Sequence, residues 1–232
     1  MKKILMTGSK GRIGKILTDN LKEMYSITEA DLPRRDIRKY STLKRLAKGK
    51  DAIIHLAWYT EKENWKNESY DPDNSLMFQN VYKVALEQKV PKVIMPSSLH
   101  VHQYIDLLDK EDIKPIGPHD KTNPDSPYGA NKVFIEELGK YYAKKGLEVV
   151  CIRYGSTGFR SPENSPNDKE GKATWFSSND LLDLIETILK TIHIPNNYLI
   201  INGISNNDER VHDYKNSLGW KPKDNAGKVK SR

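Results

Sequence analysis

Apolar positions along the chain switch between strand spacing and helix spacing from one end to the other. Lys3-Ile4-Leu5-Met6-Thr7 is a short, nearly continuous apolar run, and behind it Ile13, Ile16, Leu17 and Leu21 recur three and four apart, the spacing of one helix face. Ser26-Ile27-Thr28-Glu29-Ala30 reads as a second strand ending at Asp31, and residues 51–57 as a third. The helix after Asn74 carries Leu76, Val81, Val84, Ala85 and Leu86. Lys92-Val93-Ile94-Met95 is the fourth predicted strand and residues 147–152 the fifth, with a helix over about 128–145 between them. Asn179 is placed to cap a helix through Leu182, Leu184, Ile185 and Leu189, and residues 198–201 form a late strand. Strands this apolar are covered on both faces, and their alternation with helices predicts an α/β chain: a Rossmann-type, doubly wound parallel sheet.

The polar stretches between these elements carry turn chemistry at Gly117-Pro118-His119, at 123–127 and over 161–171, a loop long enough to be functional. No internal repeat is present. A chain of 232 residues supports one sizeable core and is short for two. The expectation is a single domain over 1–232, with cap segments at about 154–178 and 203–225 and a basic tail at 226–232.

Composition changes this picture little. Charged residues make up 30% and mean hydropathy is -0.72, with no apolar run long enough to span a bilayer. Only a few residues separate Met1-Lys2-Lys3 from Gly8, which leaves no room for a signal-peptide core. The lone Cys151 excludes an internal disulfide, suits a reducing cytoplasm and lies in an apolar strand as a core thiol. The net charge of +7 raises the question of nucleic acid, but lysines are interleaved with Glu and Asp and cluster only at the C-terminal end. The expectation is therefore no nucleic acid and no membrane, with a modest attraction for small anionic ligands left open.

Candidate chemistry begins with Gly8-x-x-Gly11-x-x-Gly14 straight after the first strand. Such a turn lets backbone approach a pyrophosphate and places it at a helix N-terminus. Asp31 falls about 20 residues past the middle glycine, at the end of the second strand, where an acid bonds adenosine ribose hydroxyls. That favours NAD over NADP, because a 2′-phosphate would meet a negative charge; Arg12, Arg34 and Arg35 are the residues that would argue otherwise. Tyr128 and Lys132 stand four apart, hence on one helix face, where an ammonium lowers the pKa of a phenol. Ser98, ending the fourth strand, is placed to hold a reacting oxygen. His100 and His102 lack further ligands at metal spacing, so no metal is expected. His55 reads as a packing or backbone-bonding residue, and Trp58, Tyr59, Trp65 and Trp175 as core or as a ligand wall.

Together these residues resemble the extended short-chain dehydrogenase/reductase family of the NAD-dependent epimerase/dehydratase type. The matching segments are Thr7 to Gly14, Asp31, residues 51–57, Asn74, Ser97-Ser98, Tyr128 to Lys132 and Ile152-Arg153. The resemblance implies a catalytic set of Ser98, Tyr128 and Lys132. It implies a cofactor site of Gly8, Gly11, Arg12, Ile13, Gly14, Asp31, Leu56, Ala57, Asn74 and Lys132, the Lys also bonding the nicotinamide ribose. A narrower resemblance, to the uronate dehydrogenases, rests on Ser97-Ser98-Leu99-His100-Val101, Arg153-Tyr154-Gly155-Ser156, Ala173-Thr174-Trp175-Phe176-Ser177, residues 202–207 and Leu218-Gly219-Trp220-Lys221-Pro222. It implies oxidation of C1 of a free sugar acid to the lactone, with Thr60, Ser98, His100 and Ser156 at the sugar. The chain departs from that pattern at Leu99, where those enzymes carry Asn. It departs again in 167–172, which lacks the Arg that pairs with the substrate carboxylate; Arg160, Lys169 and Lys172 are the nearest cations.

The expectation is thus an NAD-dependent oxidoreductase of a free uronate or aldose, with a homodimer possible through the Tyr128 helix. A nucleotide-sugar epimerase or dehydratase is the first alternative, disfavoured because fewer than 80 residues follow Arg153 to hold a nucleotide. A non-catalytic dinucleotide sensor or protein-binding member is the second, disfavoured by the intact Ser98, Tyr128 and Lys132.

Overall fold

The computed structural model describes residues 1–59, 69, 71–110, 112–157 and 168–228. Six strands form one sheet: β1 (Lys3–Thr7), β2 (Ser26–Ala30), β3 (Ala52–His55), β4 (Lys92–Ser98), β5 (Glu148–Tyr154) and β6 (Tyr198–Gly203). Their order is β2-β1-β3-β4-β5-β6 and every pairing is parallel. The order reverses between β1 and β3, and the crevice outside their C-terminal ends is where ligands bind in such sheets.

One face carries α1 (Arg12–Leu21), whose Ile16, Leu17 and Leu21 pack in a core with the strands' Ile4, Met6 and Ile54. The other carries α2 (Tyr40–Ala47), α3 (Pro72–Glu87) and α4 (Pro127–Ala143), joined through Leu43, Phe78, Val81 and Ile135 to Leu5, Ile53, Val93 and Val149. After β5 come a short α5 (Lys169–Thr174) and α6 (Ser178–Lys190), which returns to the α1 face. No helix among the described residues is long and apolar enough to cross a membrane.

Several elements differ from the sequence reading. The helix α2 was not expected: its N-cap residue Lys39 makes no side-chain cap bond, and burial of Leu43, Leu46 and Ala47 holds it. The helix of Asn74 begins two residues earlier, at Pro72, and is capped by Asp71, whose side chain accepts from Asp73 N. Asn179 is not the cap of α6: Ser177 is, accepting from Asp180 N at 3.0 Å. The helix α5 starts at Lys169 within the stretch expected to be loop, capped by Asp168.

The fourth strand runs on to Ser98, through Pro96. Its pairing with β3 ends at Ile94, while its pairing with β5 continues to Ser98. The proline therefore lies where β3 no longer asks for an N–H.

The stretches that follow β5 and β6 meet at the β5–β6 end of the crevice. Ser156 pairs with Trp175, Ser205 N donates to Trp175 O at 2.8 Å, and Asn207 Nδ2 donates to the same carbonyl at 2.8 Å. The chain stays packed at Ala226, which is buried and donates its N–H to Asn207 Oδ1.

Candidate functional site

The glycine turn is built by close approach. Gly8 has φ +72, and a Cβ there would stand 2.5 Å from Ala57 N; one on Gly14 would stand 2.3 Å from Gly8 O. No side chain fits at either position: Gly8 lies against the Leu56–Ala57 backbone just past β3, and Gly14, in the first turn of α1, lies against the Gly8–Ser9 backbone. The N-cap of α1 is Gly11, with no side-chain cap bond, so the first N–H groups of the helix face the crevice unclaimed by any cap.

Two clefts open on this turn. The larger, about 690 Å³, is lined by Gly8, Gly11, Arg12, Ile13 and Gly14 on one side and by Ser98, Tyr128 and Lys132 on the other. The smaller, about 440 Å³, reaches Asp31, Arg35 and Arg38. Both share Gly8, Gly11, Leu56 and Trp58, so they form one groove from Asp31 to Lys132.

Ser9 anchors the Asp31 end, its hydroxyl donating to Asp31 and standing 2.8 Å from Glu29 Oε2. Glu29 was not expected there; it puts a second carboxylate beside Asp31. Arg35 is occupied by the Glu29 carbonyl and Arg38 by Asp36 and Asp73.

Two neighbouring elements carry the Ser98–Tyr128–Lys132 group. Ser98 ends β4, while Tyr128 and Lys132 share one face of α4. The Ser98 and Tyr128 side chains are hydrogen-bonded, and Ser98 Oγ also accepts from His100 N at 3.3 Å. Glu136, one turn beyond Lys132, locks α4 to the sheet. It takes Arg153 Nε and Nη2 at 2.7 and 2.8 Å and the Ser97 hydroxyl at 2.6 Å, all buried. Sequence reading matched Arg153 to a family segment but missed this role, for which the i, i+4, i+8 spacing of Tyr128, Lys132 and Glu136 was the available signal.

Lys132 Nζ donates to Pro96 O at 2.9 Å and lies 3.8 Å from the Trp58 ring centroid, a cation–π distance. Trp58 also meets the Tyr128 ring edge-on at 5.1 Å, so it both packs and lines the cleft. Burial holds the Lys132 amine down to about 7. Tyr128 moves opposite to expectation: burial raises its phenol above the usual 10, against the hydrogen bond from Ser98 that lowers it. The ammonium does not win here, because desolvation acts on both groups and favours the neutral form of each.

Of the other expected residues, Leu56 and Ala57 line the groove. Asn74 does not. It is buried behind, its amide accepting from Tyr59 N at 2.8 Å and donating to Tyr59 O at 2.7 Å, and so it holds the segment that carries Trp58. Arg12 Nη1 donates to Thr157 O at 3.2 Å, tying the glycine turn to the cap. His100 lines the larger cleft and donates Nδ1–H to Asp125 Oδ2 at 2.6 Å. Ser156 lines it too, bonded to the Thr174 hydroxyl at 2.9 Å. Thr60, Trp65 and Arg160 lie outside the described residues.

His55 is buried, 2.6 Å from the Thr7 hydroxyl and edge-on to Phe78, with its pKa lowered to about 3 by burial, which suits packing and not a base. His102 is buried with its ring centre 5.9 Å from that of His212. Trp175 and Cys151 are wholly buried in the core. Among the described residues no group of three or more His, Cys, Asp or Glu is placed to hold a metal.

This groove, with a glycine turn in its middle, a carboxylate at one end and Ser, Tyr and Lys at the other, fits a dinucleotide. The sequence profile of the NAD dependent epimerase/dehydratase family matches residues 4–182. The chain belongs to that family. It is 28% identical to L-arabinose 1-dehydrogenase (NAD(P)(+)) of Haloferax volcanii, over 99% of either chain. It is 30% identical to uronate dehydrogenase of Agrobacterium fabrum, over 97% of this chain and 86% of that one. The crystal structure of uronate dehydrogenase from Agrobacterium tumefaciens superposes with a TM-score of 0.80 at 29% identity, covering 98% of this chain and 86% of that one. A mutant of it complexed with NAD gives 0.78 at 28% identity, over 98% and 86%.

Proposed function

We propose that the protein is an NAD-dependent dehydrogenase that oxidises C1 of a free aldose or uronate to the lactone. The observation that carries this reading is the hydrogen-bonded Ser98–Tyr128 pair, with Lys132 beside it, on the wall of a groove that continues past the glycine turn to Asp31. Two relatives named for oxidation of a free sugar or sugar acid, spanning nearly the whole chain, support the substrate class.

In this reading Asp31 holds the adenosine ribose, the α1 N-terminus and Arg12 the pyrophosphate, and Lys132 the nicotinamide ribose. NAD, when bound, supplies the acceptor for the hydride that leaves C1. Tyr128 Oη takes the proton of the C1 hydroxyl as the C1–O bond becomes double. Ser98 Oγ donates to the substrate oxygen and keeps it against Tyr128. His100, its ring fixed by Asp125, and Ser156 face the remaining hydroxyls. Trp58 covers the Lys132 side and keeps water from it.

NADH formation, followed by absorbance over a panel of free aldoses, free uronates and UDP-sugars, tests the reading. NADH from free sugars is expected; turnover of UDP-sugars alone overturns it in favour of an epimerase. The proposal extends to a cytoplasmic homodimer through α3 and α4, where Leu76, Phe134 and Tyr141 stand exposed. Light scattering that finds a monomer at micromolar concentration removes that part.

A further inference from the structure

Glu170 lines the larger cleft at its sugar end, beside Ser156 and Thr174. It lies in the first turn of α5, which Asp168 starts by accepting from Gly171 N at 2.7 Å. Its Oε1 accepts from the Tyr104 hydroxyl at 2.8 Å. Burial and the adjacent carboxylate hold the Tyr104 phenol well above its ordinary value, so Tyr104 remains the donor. The Tyr104 ring centre is 5.5 Å from that of His100, which is 5.9 Å from that of Tyr128. The carboxylate is therefore held two rings away from the proposed proton acceptor, on the wall a sugar ring at Tyr128 must face.

Among the described residues lining this cleft the cations are Arg12 and Lys132, besides His100 if protonated. Arg12 is bonded to the Thr157 carbonyl, Lys132 lies under Trp58 at the Pro96 carbonyl, and His100 is bonded to Asp125. Lys169, the nearest basic side chain in sequence, is turned out to Asp109 at 2.8 Å. Lys172 is not part of the lining. Among the described lining residues, a second carboxylate brought beside Glu170 would find repulsion and no uncommitted cation to offset it. A sugar hydroxyl would find a charged acceptor, the stronger kind of hydrogen bond.

We propose that Glu170 makes this site selective for neutral aldoses, accepting a hydrogen bond from a sugar hydroxyl and excluding a uronate carboxylate. The inference rests on the dehydrogenase reading above and narrows its substrate class. Galactose with galacturonate, and glucose with glucuronate, are pairs that differ only at C6. The test is kcat and KM for NADH formation with both pairs and with arabinose, using the natural chain, Glu170→Gln and Glu170→Arg. The natural chain is expected to favour the aldose of a pair, or arabinose over both uronates, by at least tenfold in kcat/KM. Glu170→Gln keeps an acceptor for Tyr104 without the charge, so the uronate KM should fall at least fivefold with kcat little changed. Glu170→Arg should reverse the preference within a pair. NADH binding by fluorescence titration shows that each variant is folded; if the Arg variant fails it, the Gln variant decides. A uronate preference in the natural chain, or an aldose-to-uronate ratio that neither variant moves, sinks this inference and leaves the dehydrogenase reading intact. NADH from no free sugar sinks both.

Discussion

At the scale of single residues, Tyr128 is the group on which turnover depends. Tyr128→Phe removes the proton acceptor and should lower kcat at least a hundredfold. NADH affinity should stay within about threefold, because the phenol oxygen is not the group proposed to hold the cofactor. Retention of a tenth of the activity, measured with saturating sugar, would show that another group takes the proton. The protonation states add a pH dependence. Tyr128 must lose its proton to act as a base, and burial raises its pKa in the free enzyme. The sign follows: kcat/KM for oxidation should climb with pH from neutral into the alkaline range, with a slope approaching one in log units. A profile flat between pH 7 and 9 contradicts the assignment. At the other end of the groove, Asp31 and Glu29 are two acids beside one Ser9 hydroxyl. Asp31→Asn should weaken NAD binding and narrow the preference for NAD over NADP at least tenfold, read by titrating both cofactors. The residue types and spacings of Tyr128, Lys132 and Asp31 were legible in the sequence. The direction of the Tyr128 shift was not, because proximity to an ammonium is visible in a spacing and burial of both groups is not.

At the scale of elements, the site depends on how α4 sits against β4 and β5. The Glu136 carboxylate joins all three through Ser97 and Arg153. Glu136→Ala leaves the Arg153 guanidinium buried without its partner and should cost roughly 3–5 kcal/mol, seen as a lower urea midpoint. Glu136→Leu combined with Arg153→Met removes both charges and should recover most of that loss. If the double variant is no more stable than the single one, the cost lies in packing and not in the stranded charge. Element types were readable from periodicity, which is why six strands and the main helices stand close to where they were expected. Ends and short pieces were not. Ser177 outranks Asn179 as a cap because its side chain reaches Asp180 N, and α2 exists because the sheet offers Leu43 and Leu46 a surface. Pro96 would end a strand read alone; it is accommodated because the partner on one side has already stopped.

At the scale of the molecule, the groove belongs to the order of the strands, which puts the ends of β1 and β3 beside each other and opens the crevice between them. The same packing buries His55 and His212. His55 and His212 have pKa values lowered to about 3 from 6.5, mainly by burial. Between those values the unfolded chain binds more protons than the folded one, so stability is lost as pH falls below about 6.5 and continues to fall towards 3. Each histidine contributes up to about 1.4 kcal/mol per pH unit across that window. The urea midpoint should drop steadily from pH 7 to pH 5, and His212→Asn should flatten the slope; an unchanged midpoint contradicts the buried neutral state. What the sequence determined by itself was local. The glycine spacing, the Tyr–Lys spacing and the alternation of periods are properties of neighbours along the chain, and they were sufficient for the fold class and the proposed chemistry. What only the tertiary structure decided was which groups share a space. It turned the Asn74 amide to the Tyr59 backbone, laid Trp58 on the Lys132 ammonium and set Glu170 in the sugar end of the cleft. Those contacts join residues 15 to 74 positions apart or depend on which way a side chain faces. No local pattern encodes them, because burial and proximity are set by the whole chain at once.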